Sequence, residues 1–475
     1  MPIVGNLLQL SQDAWLKFTD WKHVYGPIVY LNLAGQDVIV LNTLQAAADL
    51  LDRRASIYSS RPRFEVACNM LTEGMFFVFQ GYTDRWRRMR RAAHESLHSG
   101  LMKNYHPIQT LETAILLKDM VKAPHDWDKH LRRTAASTVL SITYGLPPLK
   151  DVDDPSMATL ENFLGKIVRA GYVDGFLIEL FPSLMRIPAL LAPWKKEAHE
   201  WAPQFTGLFE GLYAGVKEKV LEGDARPSFS ASMVEKQIKF DLNDKETAWL
   251  VGTVATAYET ISATMAWFML AMVLYPEAQR KAHKELDAVV GRSRLPTLDD
   301  FESLVYIQAM VKEILRWHPV GPLGVQHRST EDDVYEGYFI PKGTICIANI
   351  WGINRDPELW GPDADQFKPD RHIGSDGKLA PSPPDTKEEG HVSFGFGRRI
   401  CVGRHLGRNS LFLNIASVLW MFTVKAPLGP DGQEVVCTEK SVDMGLVVRP
   451  QEYDYRFELR IPDAEEILNS HEEVL

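Results

Sequence analysis

Residues 247–275 carry one charge in 29 positions. At helical rise a stretch that apolar is long enough to cross a membrane, so lipid or a large protein body must surround it. Asn243 with Glu246 three residues on gives a capping-box start, and Tyr275-Pro276 gives a stop. The single charge, Glu259, sits mid-segment among Thr253, Thr256, Thr260, Ser262 and Thr264. A lipid-facing helix does not carry that polar load without cause. The segment is therefore read as one long helix through a protein core. A chain of 475 residues with 45% apolar content can build that core.

Around this segment the chain divides by texture. Residues 7–25 predict a short amphipathic helix closed by Tyr25-Gly26-Pro27. Residues 28–33 and 37–41 predict a hairpin turning at Ala34-Gly35-Gln36. Residues 84–320 keep helical periodicity, broken at Pro147-Pro148, Pro182, Pro188, Pro193 and Pro227. Residues 334–339 and 344–349 predict strands around Pro341-Lys342-Gly343, and a loop rich in Pro, Gly and Asp follows over 361–392. A last helix is expected over 404–421, then a tail of short strands. The expected fold class is mainly α with a smaller β-sheet region. Its β-rich part comes from about 27–50, 323–350 and 423–460, and its helical body from about 51–322 and 404–421, in a single domain over 1–475.

Asp and Glu outnumber Lys and Arg, 62 to 52, for a formal charge of −10. No global field attracts nucleic acid, and an anionic partner must be met by a local patch. Cys68, Cys346, Cys401 and Cys437 lack the close pairing of a disulfide framework or a zinc clip, which points to a reducing compartment.

One cysteine has a context of its own. In Phe394-Gly-Phe-Gly-Arg-Arg-Ile-Cys-Val-Gly403, Cys401 lies in a glycine-dense turn, behind two arginines and ahead of the last helix. Glycines let backbone N–H groups turn toward a sulfur, which is how a protein offers one thiolate to a haem iron. A lone cysteine is by default a small buried hydrophobe. Three glycines, a phenylalanine and an arginine at fixed offsets argue against that default.

The pattern Phe-x-x-Gly-x-Arg-x-Cys-x-Gly resembles the haem-binding loop of cytochromes P450. The resemblance implies the P450 fold, with the long helix over the haem, and haem b (iron protoporphyrin IX) held by Cys401 with Phe394, Gly395, Arg399 and Gly403 around it. Glu259-Thr260 is similar to the acid–alcohol pair that serves proton delivery in that family, with Thr256 and Ala257 in place of smaller residues and Ala257 against the cofactor. By themselves these two residues could equally be a polar pair in a core. The Thr260 hydroxyl is expected to bond back to the Thr256 carbonyl and loosen the helix. Tyr258, on the opposite side, is expected to pack in the core.

Further positions match in family order. Trp86 and Arg90, His327 and Arg399 correspond to contacts of the haem propionates, with Arg328 a competitor for the role of His327. Glu313, Arg316 and Arg371 correspond to a structural carboxylate shared by two guanidiniums, with Asp370 and His372 where Glu and Phe are commoner. Met70, Phe76, Phe77, Thr256, Leu323, Met444 and Leu446 are the expected pocket wall, and that lining implies a hydrophobic small-molecule substrate. Residues 181–194 read as a membrane-touching access lip or as ordinary core.

Arg85, Arg87, Arg88, Arg90 and Arg91, with Arg398, Arg404 and Arg408, imply a basic face for an acidic donor, an NADPH-cytochrome P450 reductase. The opening Met1-Pro-Ile-Val-Gly-Asn6 has no leader pattern. It is similar to the hinge after the membrane anchor of microsomal members. That likeness implies a full-length protein at the cytoplasmic face of the endoplasmic reticulum membrane, and this chain, without the anchor, as a soluble monomer. The expected activity is a eukaryotic, fungal-type monooxygenase. A haem-thiolate isomerase, dehydratase or peroxygenase shares the cysteine but not the need for Glu259-Thr260, and a haem or lipid carrier needs neither.

Overall fold

The computed structural model describes residues 4–10, 13–151, 154–171, 178, 180–443, 445–461 and 467–468. The expected pocket residue Met444 and the first three residues of the hinge lie outside these. The principal helices are α1 (Ala14–Tyr25), α2 (Asp84–Leu97), α3 (His106–Lys122), α4 (Trp127–Tyr144), α5 (Pro155–Arg169), α6 (Pro193–Glu222), α7 (Phe229–Phe240), α8 (Asp244–Ala255), α9 (Tyr258–Leu274), α10 (Pro276–Val289), α11 (Val305–Trp317) and α12 (Arg404–Met421). The strands are β1 (Ile28–Leu33), β2 (Gln36–Leu41), β3 (His327–Arg328), β4 (Asp333–Tyr335), β5 (Tyr338–Ile340), β6 (Ile345–Ala348), β7 (Phe422–Lys425), β8 (Ser441–Asp443), β9 (Val448–Pro450) and β10 (Arg456–Leu459). The fold is mainly α with a small mixed sheet region.

The largest sheet joins the two ends of the chain in the order β1-β2-β6-β3. Ala34 and Gly35 turn the β1–β2 hairpin with φ of 51° and 94°, the positive pair that a two-residue hairpin requires. β2 then pairs in parallel with β6, Val38 opposite Ile345. Three sequence expectations fail here. Residues 7–25 are not one helix: a single 3₁₀ turn spans Leu7–Gln9 and α1 begins only at Ala14. Residues 334–339 are not one strand, because Glu336 (φ 48°) and Gly337 (φ 83°) fold them into the β4–β5 hairpin. Pro193 does not break a helix but opens α6, where its missing N–H costs nothing, and Pro203 is accommodated inside α6.

The apolar segment lies in the core, with 72% of the residues in its most apolar window buried. The Asn243–Glu246 capping box is formed on both sides. The segment is not continuous, however: α8 ends at Ala255, and α9 starts at Tyr258. Hydroxyls compete for the backbone throughout, Thr253 donating to the Trp249 carbonyl at 2.7 Å and Thr256 to that of Thr253 at 2.8 Å. The Thr260 hydroxyl donates to the carbonyl of Ala257 at 2.8 Å, not to that of Thr256. Three-residue reach fits a tightened turn better than a regular α-helix. Tyr258 is buried as expected.

α6 crosses α8 at Gly252, where an added Cβ would lie 2.4 Å from the ring of Phe209. The aromatic set Phe163, Phe205, Phe209 and Trp249 fills that crossing edge to face, with centroids 4.8 to 5.2 Å apart for the closest pairs. Gly252→Ala should therefore cost about 1–3 kcal/mol by overpacking. In a urea-unfolding double-mutant cycle, Phe209→Ala should abolish that increment.

Candidate active site

The cysteine turn is built by its glycines. Gly395 and Gly397 have φ of 76° and 56°, and the Cys401 N–H closes the loop on the Phe394 carbonyl at 2.8 Å. Gly403, with φ of −86° and open space where a Cβ would stand, is the cap residue before α12 and not one of the residues that bend the turn. α12 begins at the next residue, which puts the sulfur ahead of a long helix's N-terminus. Cys401 is accessible, whereas the other three cysteines are buried. Protein nevertheless surrounds it, and burial pushes its thiol up, against the pull of the Gly403 N–H and of Arg90 and Arg404. Exposed yet closely surrounded, it sits in a recess of the protein. Ala257, before α9, and Thr260, in its first turn, are also exposed.

Three guanidiniums gather nearby. Arg399 donates to the Ser59 and Gln80 carbonyls, both at 2.7 Å, and lies 3.8 Å over the ring of Trp86. Burial, then Arg61 and Arg90, push it down to about 8. Burial alone pushes Arg61 down to about 9, although it donates to the carbonyls of Val78 and Gln326 at 3.3 and 2.9 Å. Burial likewise lowers Arg90, against the pull of Cys401. Among the described residues none of the three pairs with a carboxylate. The indole N–H of Trp86 is buried without a partner. His327 gives its Nδ1–H to the Tyr58 carbonyl at 2.7 Å, and burial, then Arg61, holds the ring well below its ordinary value. Its Nε2 can donate only when the ring is protonated, which a bound anion would favour. Arg328 is turned to the Gly343 carbonyl at 3.2 Å.

Cations without acids among the described residues, an orphaned donor and one accessible sulfur fit a planar iron cofactor with two carboxylates. Cys401 would hold the iron, and Trp86, Arg90, Arg399, His327 and Arg61 the carboxylates. Arg61 was not legible in the sequence. It stands in Ser60-Arg-Pro62, and only its burial marks it out.

The expected acid–alcohol pair is divided by its partners. Glu259 spans Arg449 of β9 at 2.9 Å and Arg132 of α4 at 3.3 Å. Asp128 bridges the same two arginines, with Arg132 at 2.8 Å. The carboxylate is thus held by two guanidiniums while the exposed Thr260 turns its hydroxyl to the Ala257 carbonyl. Arg449, a lone charge in Val448-Arg-Pro450, was the signal in the sequence that this cluster existed.

Of the expected wall, Phe77 stacks on Trp86 with centroids 5.5 Å apart and planes at 4°, and its N–H donates to Thr253 at 3.3 Å. Phe76 turns to Phe79 and Phe163 instead. Thr256 is buried, and Met70, Leu323 and Leu446 are half-buried against the same core. Gly445 (φ 101°) lets the β8–β9 tip meet α5, since its Cβ would lie 2.1 Å from Val168.

Glu313 is fully buried. Its oxygens take Arg316 twice at 2.8 Å, Arg371 at 2.9 Å, the Lys368 N–H at 2.8 Å and His372 at 2.9 Å. Burial pushes the carboxyl up, but Arg316 and His372 outweigh it and hold it down at about 2. A folded value below the ordinary 4.5 means that the stabilisation is complete above about pH 4.5 and is lost as pH falls toward about 2. The urea midpoint of the parent should fall across that window, and that of Glu313→Gln, lower throughout, should fall less. Arg371→Ala, which strips one partner from a buried charge, should cost about 3–5 kcal/mol in the same assay at pH 7.

Comparison with known proteins adds to this geometry. The Cytochrome P450 family model matches residues 1–457. A cytochrome P450 monooxygenase of Armillaria gallica is 48% identical, covering all of this chain and 91% of the relative. Cytochrome P450 monooxygenase 58 of Postia placenta is 44% identical over 98% of this chain and 89% of its own length. Cytochrome P450 monooxygenase iboC of Amanita muscaria is 36% identical over 98% and 91%. The match runs through both the sheet region and the cysteine turn, and with the sulfur and the carboxylate-free arginines it makes this chain a member of the cytochrome P450 family, an oxidoreductase of the monooxygenase type that uses haem.

Proposed function

We propose that the chain binds haem b through Cys401 and inserts one oxygen atom of O2 into a C–H or C=C bond of a hydrophobic small molecule. Electrons would come from an NADPH-dependent reductase. The observation that carries this reading is the single accessible thiol, placed before α12 beside guanidiniums that have no acid of their own among the described residues. Bound there, haem supplies dioxygen binding and oxygen transfer, with thiolate donation favouring O–O cleavage. Trp86, Arg90, Arg399, His327 and Arg61 hold its carboxylates. Thr260 presents a hydroxyl to the cavity and hands on protons. Glu259 relays them only when it leaves at least one of Arg449 and Arg132, so the cluster limits when that carboxylate is free.

The basic face is narrower than the arginine count suggests. Arg85 is taken by the Gly74 carbonyl and Arg88 by Asp84 and Asp241. Arg91 and Arg398 are exposed and supply the docking charge, whereas Arg87, also exposed, pairs with Asp84 at 3.1 Å. Residues 181–194 divide. Phe181 packs with the N-terminal sheet cluster, as do Leu7 and Leu10. Leu190 and Leu191 stand out at 95% and 71% exposure. Those two, with exposed Leu8, support contact with the cytoplasmic face of the endoplasmic reticulum membrane. The same reading has the chain acting as a monomer without nucleic acid.

Two measurements test the reading. The haem-loaded protein, reduced under carbon monoxide, should absorb where sulfur-ligated haems do, and Cys401→Ser should abolish that band. If the serine variant keeps it, Cys401 is not the ligand. Thr260→Ala should keep the band and go on consuming NADPH while product per reducing equivalent falls several-fold. Unchanged coupling would remove Thr260 from the proton path.

A further inference from the structure

The helix Ala48–Arg53, wound in wide i→i+5 turns, meets the cysteine turn backbone to backbone. A Cβ placed on Gly397 would lie 2.1 Å from the Leu51 carbonyl oxygen, so glycine alone permits the approach. At the same point the Gly397 N–H donates to the Asp52 carboxylate. Gly397 is the hub of the turn. Its carbonyl accepts from Ile400 N at 3.3 Å, and the flanking Phe396 and Phe394 carbonyls accept from Arg399 N at 3.2 Å and Cys401 N at 2.8 Å. Fixing Gly397 fixes the chain four residues before the sulfur.

Asp52 is itself held. Lys387 Nζ lies 2.7 Å from the same oxygen that takes the Gly397 N–H. Beside it Arg53 bonds both oxygens of Asp385, at 2.7 and 2.9 Å, and Asp49 at 3.0 Å. The loop that supplies these partners is strained, with φ of 64° at Asp385, 53° at Lys387 and 67° at Glu388. Side chains other than glycine keep such values only where their surroundings over-determine them. Lys312 adds to the restraint, donating to the Glu388 carbonyl at 2.6 Å. Exposed ion pairs in isolation contribute little. Here one of them, Lys387–Asp52, holds the carboxylate that takes the Gly397 N–H, the Arg53 pairs tie down the next residue, and a charge-assisted N–H···O⁻ bond is about twice as strong as a neutral one.

We propose that Asp52 is a positioning residue for Cys401: its carboxylate fixes Gly397, and the Lys387 and Arg53–Asp385 contacts strap it in place so that the sulfur stays set as a thiolate ligand. The inference rests on Cys401 being the haem ligand. Asp52 touches neither substrate nor cofactor, and it acts through the turn alone.

The test uses the haem-loaded full chain. Asp52→Ala removes the acceptor and the partner of Lys387, Asp52→Asn keeps an oxygen for the Gly397 N–H, and Lys387→Met keeps the carboxylate but frees it. Each protein, reduced under carbon monoxide, is titrated with urea while the thiolate-ligated absorption band and tryptophan fluorescence are followed together. In Asp52→Ala the band should be lost well before the fluorescence transition, a gap wider than that of the parent. Asp52→Asn should close most of that gap, and Lys387→Met should fall between. If band and fluorescence move together in Asp52→Ala, or neither moves, Asp52 is not a positioning residue. If Asp52→Ala takes up no haem, Lys387→Met decides: a widened gap supports the strap, and the parent's gap overturns it. A parent protein without the band refutes the haem-thiolate reading itself, a different outcome from any of these.

Discussion

A fully buried carboxylate sets the terms for much of this structure. Glu313 would be ionised at great cost in a protein interior were it not met on every side. Arg316, from its own helix, covers both oxygens, while Arg371, His372 and the Lys368 N–H arrive from residues 368–372. Arg316 spends its remaining N–H groups on the carbonyls of Asn354, Ala364 and Gln366. One charge thereby fixes α11 and the irregular chain on its far side, the same chain that leads into the cysteine turn. An irregular segment has no ladder of its own to satisfy its carbonyls, and the guanidiniums do that here.

The cavity follows the opposite rule. Around Trp86 the protein gathers Arg61, Arg90 and Arg399, gives Arg61 and Arg399 carbonyls, and among the described residues gives none of the three an acid. Carbonyl dipoles satisfy the N–H groups without neutralising the charge, so burial depresses all three. In the Glu313 cluster the charges close on themselves, and the result is rigid. Near Cys401 they are left open, which is the condition for binding an anionic cofactor tightly.

The core helix shows how the two regimes are joined. Its hydroxyl-bearing residues bond back to the backbone where the helix breaks at Thr256–Ala257, and Thr260 just beyond is exposed. Directly beside it, Glu259 is drawn off by Arg132 and Arg449 into a four-charge cluster with Asp128. Adjacent residues thus point to different chemistry, because 100° of helical rotation separates them.

Much was legible in the order of residues. The glycines at 395 and 397 before one cysteine specify a turn whatever surrounds it, since a positive φ is a local property. The Asn243–Glu246 box, the β1–β2 hairpin and α12 are likewise short-range, and they stand where the sequence puts them. Partners far apart in the chain were not legible. Nothing near Asp52 announces Gly397, nothing near Arg61 announces Arg399, and nothing near Glu259 announces Arg449. Charge pairing depends on distance through space and on the desolvation that packing imposes, and neither quantity exists until the helices have met. The sequence by itself determined that a cysteine turn and a long apolar core segment would form. Only the tertiary structure decided which cations are left without an acid, which carboxylate is locked away from the cavity, and which backbone holds the sulfur in place.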